Sequence, residues 1–372
     1  MHALAPHLWL RAETKRNEHR TALTPSAVKV LIEAGFQITV EKSPQSIFNT
    51  AEYAQVAGVE LADAGTWQTA PKETYVVGLK ELPENDSAPL PHTHIMFAHC
   101  YKRQSGWRET LSRFARGHGL LLDLEFLQDD NGRRVAAFGY HAGFAGSALA
   151  LDVWAHQRNS PGTEYPYVKP YPTDKELIAH VAARLASAVA KCGTQPTVMV
   201  MGALGRCGRG AIDMARAAGI PDDRIVKWDV AETAKGGPFA EILDASIFVN
   251  CIYLSTAIPP FLTVDMLQRP RELSVVCDVS CDTTNPNNPL PIYADTTTFG
   301  EPVLHLITKG EAPLDVIAID HLPTLLPREA SEAFSRDLLP SLLQLKERHT
   351  ARVWTDAEAL FHKKVEEMKS SQ

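Results

Sequence analysis

Thr197-Val198-Met199-Val200-Met201 runs straight into Gly202-Ala203-Leu204-Gly205-Arg206-Cys207-Gly208, an apolar β-prone run that breaks into glycines. A helical pattern, Arg209–Ala218, follows. Strand, glycine turn and helix in this order bring backbone close to a pyrophosphate, whose charge the N–H groups of the helix N-terminus meet. The spacing G-x-x-G-x-x-G departs from the commoner G-x-G-x-x-G, so the context carries more weight than the glycines. Asp229 lies 21 residues after Gly208, at the end of the next predicted strand, Ile225–Trp228. A carboxylate there holds the ribose hydroxyls and repels a 2′-phosphate, which favours NAD over NADP. The plainer alternative is a turn built for packing, with Asp229 as a helix cap. Strand, loop, helix and acid together favour the nucleotide.

The same alternation extends in both directions. Downstream, Ser246–Asn250, Ser274–Val279 and Val303–Ile307 read as strands, and helices close the chain near Ala330–Leu345 and Asp356–Met368. Upstream, Thr173-x-x-Glu176 is a capping box that opens a helix with the apolar stripe Leu177, Val181, Leu185 and Val189. The proline-bearing stretch 160–172 before it reads as a loop. In the first 140 residues, Leu8–Leu10, Gln37–Val40, Tyr75–Leu79, Ile95–Ala98 and Leu120–Leu124 read as strands. Thr24, Pro25 and Gly35 bracket one helix, and Gly117 closes another, Trp107–Arg116. Strands alternating with helices imply parallel sheets covered on both faces. The expected fold is α/β: two doubly wound, Rossmann-like parallel-sheet domains with an active-site cleft between them.

Composition sets the class. The chain has 372 residues, 45% of them apolar and 22% charged, with a formal net charge of −7. That supplies a core for two or three domains and excludes a disulfide-stapled scaffold or a disordered regulator. With no basic tract, nucleic acid and anionic membranes are poor partners. The six cysteines contain no CxxC pair, so no metal site is expected. Met1 to Pro6 lacks the apolar core of a signal peptide. The apolar stretch 136–151 is broken by Gly139, His141, Gly143 and Gly146 and falls short of a membrane span. The C-terminus carries no peroxisomal tripeptide, and a reducing, cytoplasmic enzyme is the expectation.

Three predicted strands of the first half end on ionisable groups. Tyr75–Leu79 runs into Lys80-Glu81, Ile95–Ala98 into His99, and Leu120–Leu124 into Glu125. Ligands of open α/β sheets bind beyond the carboxyl ends of the strands. Lysine and histidine beside carboxylates can be tuned toward neutral pH for acid–base work. Singly, each is more often surface charge or a structural histidine; recurrence at successive strand ends raises the set. Lys15, Arg20, Lys102, Arg133 and Arg134 accompany this edge, and arginine suits a substrate with several carboxylates.

These residues fall within strings that together resemble one family: LRAETK (10–15), RTALTP (20–25), GLKELPE (78–84), FAHCYK (97–102), DLEFL (123–127), GRRVAAFGY (132–140), GALGRCG (202–208), KWDV (227–230), NCIYLS (250–255), DTTNP (282–286) and IDHLPTLLPREAS (319–331). The chain resembles the NAD-dependent, lysine-forming saccharopine dehydrogenases, of the alanine dehydrogenase/transhydrogenase-like superfamily. The resemblance implies oxidation of L-saccharopine by NAD to L-lysine and 2-oxoglutarate. It implies Lys80 as the base for the secondary amine, His99 as acid–base for imine hydrolysis, and Glu81 and Glu125 as the carboxylates that tune them. Carried over in the same way, Arg20, Lys102, Gln104, Arg134 and Phe138 line the substrate site, with Ser280, Cys281 and Asp282 from the other domain. Arg133, Gly205, Arg206, Asp229, Thr233, Tyr253, Val279 and the run Ile319, Asp320, His321 and Leu322 match positions that face NAD. The family pairs cysteines matching Cys207 and Cys251 in an oxidised form that weakens the cofactor, which leaves a redox effect open here. It also returns its C-terminal helices to the first domain. That divides the chain into a substrate domain, 1–138 plus 326–372, and an NAD-binding domain, 139–325. The acid–base set and the nucleotide loop then lie on different domains and meet on closure.

Two other classes share part of this pattern. An alanine dehydrogenase-like enzyme shares the fold and the Lys/His pair but needs only one carboxylate clamp. A non-catalytic NAD sensor keeps Gly202–Gly208 and Asp229 but does not need Lys80 and His99. The expected partners are small-molecule substrates (saccharopine, lysine, 2-oxoglutarate), with the oligomeric state left open and a monomer compatible with it.

Overall fold

Two six-stranded sheets organise the chain, one in each of two compact units, 1–137 with 327–372 and 138–326. They are seen in a computed structural model that describes residues 5–83, 86–283, 285–307 and 313–370. Glu84 and Thr284 of the quoted strings, and residues 1–4, 371 and 372 of the termini on which the targeting expectations rest, lie outside the described residues.

The first sheet contains β1 (His7–Leu10), β2 (Gln37–Glu41), β3 (Val59–Ala62), β4 (Tyr75–Val77), β5 (Thr93–Met96) and β6 (Leu120–Asp123). The second contains β7 (Val198–Met201), β8 (Ile225–Trp228), β9 (Ile247–Asn250), β10 (Val275–Asp278), β11 (Leu304–His305) and β12 (Asp315–Ile317). The helices are α1 (Pro25–Glu33), α2 (Thr50–Ala54), α3 (Trp107–Gly117), α4 (Gly139–Asn159), α5 (Asp174–Cys192), α6 (Arg206–Ala217), α7 (Val230–Thr233), α8 (Pro327–Leu343) and α9 (Arg352–Ser370).

The first sheet has the order β3-β2-β1-β4-β5-β6, all parallel. The order in which strands are added reverses between β1 and β4, and ligands bind outside such a switch point. α1 begins where Thr24 accepts the N–H of Ala27 and Pro25 supplies a fixed φ, and it ends at Gly35 with φ +85°. α3 runs through Gly117, whose missing side chain lets the helix end pack on the Leu90 backbone; His118, at φ +56°, makes the left-handed cap.

The second sheet has the order β11-β12-β10-β9-β7-β8 and is parallel except for β11. Its switch point falls between β7 and β9. The expected strand Val303–Ile307 shrinks to two residues antiparallel to β12, where Pro302 has no N–H to extend the edge. α4 is almost wholly buried, which explains a stretch that is apolar without being amphipathic. It packs closely on α6 because side chains at Gly143 and Gly210 would strike the backbones of Cys207 and Tyr140. Separate apolar cores cover the two faces of the sheet. One is built around Trp154, Leu177 and Ile319, the other around Phe239, Phe248 and Phe261.

Candidate active site

β4, β5 and β6 lie side by side, so their carboxyl ends bring Lys80, Glu81, His99 and Glu125 to one edge. Glu81 Oε2 lies 3.1 Å from His99 Nδ1, and Lys15 donates to the other oxygen. Burial opposes ionisation of Glu81, but the hydrogen bonds from His99 and Lys15 outweigh it and hold the carboxyl well below its ordinary range. His99 has φ +50°, a left-handed conformation that costs a non-glycine residue energy and is concentrated at functional sites. Its ring stacks on Phe97 with centroids 6.3 Å apart.

Lys80 is partly buried. Burial and the Arg20 guanidinium hold its amine below the ordinary lysine range, against the pull of Glu18 and Glu81. Arg20 is buried and donates to Glu18 through Nε at 2.8 Å and Nη2 at 2.7 Å. Lys102 Nζ donates to Glu125 Oε1 at 2.7 Å. Arg134 stands 3.9 Å from the same oxygen, with its guanidinium 5.5 Å from the Phe97 ring centroid. Glu125 thus faces the two cations Lys102 and Arg134. Gln104 accepts the Lys102 N–H, while Arg133 lies exposed in the turn closed on Asp129 and Phe138 caps α4 in the second unit.

In the second unit, the three loop glycines have three physical reasons. Gly202 has φ +89°, which the turn requires. A side chain at Gly208 would collide with the Gly202 carbonyl, so this glycine packs helix on strand. At Gly205 a Cβ would meet nothing nearer than the Gly202 carbonyl at 3.4 Å, so the fold leaves space there for another group to approach. α6 begins at Arg206, not Arg209; the loop itself is the first turn of the helix, with no side-chain cap at Gly205 and no acidic residue to occupy the N–H groups. Asp229 accepts the Leu204 N–H at 2.8 Å and the Val230 N–H at 2.9 Å. It both caps α7, where it forms a capping box with Glu232, and ties down the glycine loop. These features fit a dinucleotide: an open approach, the N-terminus of a helix and an acid at the strand end.

Thr233 donates to the Asp229 carbonyl. Beyond β9 and β10, Tyr253 donates to Asp282 at 3.4 Å, and the Ser280 N–H bonds Asp278. Burial, together with Asp278, Asp320 and Asp282, pushes the Cys281 thiol up. Val279 is partly buried against the core. Ile319 and Leu322 are core side chains, so any ligand contact there falls to the backbone, with Asp320 and His321 hydrogen-bonded at 2.5 Å. Cys207 and Cys251 are free thiols. Burial and Cys207 raise the Cys251 thiol. Among the described residues, no cluster of three or more His, Cys, Asp or Glu is placed to hold a metal, and no helix is long and apolar enough to cross a membrane.

Reading the sequence missed Arg11, Glu13, Glu18 and Asp123, all behind this edge. Glu18 neutralises Arg20 and supports the Lys80 charge. Asp123 accepts the N–H groups of Glu125 at 2.9 Å and Ala98 at 3.4 Å, and burial raises its carboxyl to about 6. The available signal was the alternation Arg11-x-Glu13-x-Lys15 immediately after a buried strand.

The family described as Alanine dehydrogenase/PNT, N-terminal domain, matches residues 9–145. The chain is 59% identical over 370 residues to a Schizosaccharomyces pombe protein named saccharopine dehydrogenase [NAD(+), L-lysine-forming], covering 98% of this chain and 100% of that one. A Yarrowia lipolytica protein of the same name is 58% identical over 96% of this chain and 97% of its own. Among solved structures, an L-alanine dehydrogenase superposes with a TM-score of 0.65 at 16% identity, covering 96% of this chain and 93% of that one. A transhydrogenase from Sinorhizobium meliloti gives 0.60 at 16% identity, over 92% and 94%. These two show the shared fold, while full-length identity above one half decides the rest: the chain belongs to the NAD-dependent, L-lysine-forming saccharopine dehydrogenase family.

Proposed function

We propose that this enzyme oxidises L-saccharopine with NAD and hydrolyses the product to L-lysine and 2-oxoglutarate, using Lys80 and His99 as its acid–base groups. The observation that carries the assignment of these groups is the Lys80–Glu81–His99 arrangement at adjacent strand ends, with the lysine amine held below its ordinary range. NAD, when bound, accepts the hydride from the glutamate-derived carbon. Lys80 Nζ, whose neutral form burial favours, takes the proton from the secondary amine. His99 Nε2, the ring nitrogen not engaged by Glu81, takes a proton from the water that adds to the imine carbon. It then returns a proton to the lysine nitrogen as the carbinolamine collapses. Overall one water is consumed, and one hydride and one proton leave.

Glu81 orients the imidazole in this reading, and Glu125 sets the positions of Lys102 and Arg134 for substrate carboxylates, with Gln104 beside them. Arg20, tied to Glu18, acts through the charge it places near Lys80. Phe138, Ser280, Cys281 and Asp282 complete the substrate positions. The first unit is then the substrate domain and the second the NAD domain, with Gly202, Gly205, Arg206, Gly208, Asp229, Thr233, Tyr253, Val279, Arg133 and 319–322 as its cofactor positions. The Asp229 carboxylate at the end of β8 favours NAD over NADP, since it would repel a 2′-phosphate. The influence of the Cys207 thiol on that of Cys251 supports a redox pair beside the nucleotide loop. Six free cysteines accord with a reducing compartment such as the cytoplasm.

NAD reduction assayed with saccharopine and, separately, with alanine tests the reading. Saccharopine turnover yielding lysine and 2-oxoglutarate in equal amounts is expected. Turnover of alanine instead would assign the other branch of the fold, and NAD binding without turnover of either would point to a sensor.

A further inference from the structure

We propose that Glu13, held by Arg11, is a positioning residue for Lys80: its buried carboxylate grips the backbone that aims the lysine amine into the site. β1 ends at Leu10 and β4 at Val77; the last rung toward β1 is the Arg11 N–H to the Val77 carbonyl, and toward β5 the Gly78 N–H meets the Ile95 carbonyl and the Phe97 N–H the Leu79 carbonyl. Beyond them the N–H groups of Leu79 and Lys80 have lost their strand partner on the β1 side. Glu13 replaces it. Its Oε1 accepts the Leu79 N–H at 2.6 Å and its Oε2 accepts the Lys80 N–H at 3.0 Å. Arg11 donates to the Lys80 carbonyl and stands 3.5 Å from Glu13. The peptide of Lys80 is therefore held at both its N–H and its C=O by two side chains that are 8% and 1% exposed.

The residue types are specific to this task. Each N–H donor meets its own oxygen, and a carboxylate offers two oxygens where an amide offers one and an NH2 group that would face a donor. A buried carboxylate needs a compensating cation, and Arg11 supplies it while also reaching the carbonyl. Gly78 completes the device, because a Cβ there would lie on the Arg11 guanidinium. Lys80 itself faces Glu18 and Arg20 from the segment after β1, Glu81 from its own turn, and Lys15. Rotation of the gripped peptide would move the amine among these charges and out toward water.

The inference rests on the reading of Lys80 as the base, so the test has one arm that does not use turnover. Competitive acetylation of the unliganded enzyme, followed across pH by mass spectrometry of the Lys80 peptide, reports the lysine directly. In Glu13→Gln, the half-labelling pH should rise toward that of ordinary lysine by about half a unit or more. Gly78→Ala, which displaces Arg11 without altering a charge, should move it the same way. Glu13→Asp keeps the charge but is too short to span both donors, and should behave like Glu13→Gln. Saccharopine kcat should fall about 10–100-fold in each variant, the usual cost of misplacing a reacting group, while NAD affinity stays within about twofold. An unchanged Lys80 profile in Glu13→Gln and Gly78→Ala would overturn the proposal, as would a Glu13→Asp enzyme that matches wild type. A shifted labelling profile in a protein that does not turn over saccharopine would uphold the clamp and overturn the functional reading instead.

Discussion

Glu81 Oε2 meets His99 Nδ1 at 3.1 Å, which fixes the imidazole tautomer with its proton on Nδ1 and leaves Nε2 unengaged by Glu81. The bond also changes how the folded protein responds to acid. The folded Glu81 carboxyl is depressed below its unfolded value, since the bonds from His99 and Lys15 overcome burial. Its contribution is fully present above the ordinary carboxylate range and is lost as pH falls through the lower folded value. Glu81→Gln should therefore lower the thermal midpoint near neutral pH and converge on wild type in acid. A midpoint difference that stays constant down the acid limb would refute the ion-pair account.

Asp123 has the opposite sign. Burial, with Glu125 nearby, raises its carboxyl from 3.8 to about 6. A raised folded value makes its contribution complete below 3.8 and lost as pH rises through about 6. Asp123→Asn loses one backbone acceptor at every pH, but its stability relative to wild type should improve steadily between these limits. Thermal melts at four or five pH values would show this; parallel curves would argue that Asp123 titrates normally.

The loop glycines separate into ligand space and packing space. Gly208→Ala should destabilise the second unit by about 1–3 kcal/mol, since the new methyl strikes the Gly202 carbonyl. Gly205→Ala should fold like wild type, having only the 3.4 Å neighbour, yet bind NAD at least about tenfold more weakly. Calorimetric NAD titration beside a denaturant melt distinguishes the two. Equal effects of both changes on stability would remove the case for an open approach at Gly205.

Arg20 and Arg134 should no longer behave alike. Arg20 is locked to Glu18 inside the fold, so Arg20→Ala strands a buried carboxylate at a cost of about 3–5 kcal/mol. Arg134 is 38% exposed and only loosely paired with Glu125. Arg134→Ala should leave the melt nearly unchanged and raise the Michaelis constant for saccharopine by a factor corresponding to about 2–5 kcal/mol. If the reverse reaction lost affinity for NADH as much as for 2-oxoglutarate, Arg134 would not be a carboxylate clamp.

Much of this architecture was readable in the chain, for physical reasons that also explain the gaps. Buried parallel strands such as Leu120–Asp123 and Ile247–Asn250 announce themselves as apolar runs, and each leads into a strand end that carries chemistry. β3 was not readable, because Val59-Glu60-Leu61-Ala62 is an exposed edge whose residues have no buried face to alternate. β12 was hidden inside a longer apolar run that continues into the core turn at 319–325. Lys80, His99 and their carboxylates stood out by recurring at successive strand ends. Glu13, Glu18 and Arg11 did not, since a buried charge and a solvated one look alike in sequence; Glu13, for one, meets its backbone donors 66 and 67 residues away.

The central claim is that the strand ends of the first unit perform the proton transfers and the second unit binds NAD. Turnover of saccharopine by Lys80→Met and His99→Gln, measured beside the NAD dissociation constant of each, tests it most directly. The account predicts turnover lower by about 10²–10⁴ in both variants, with NAD affinity and thermal midpoint close to wild type. Near-wild-type turnover in both, or a loss of NAD affinity that matches the loss of rate, would contradict it.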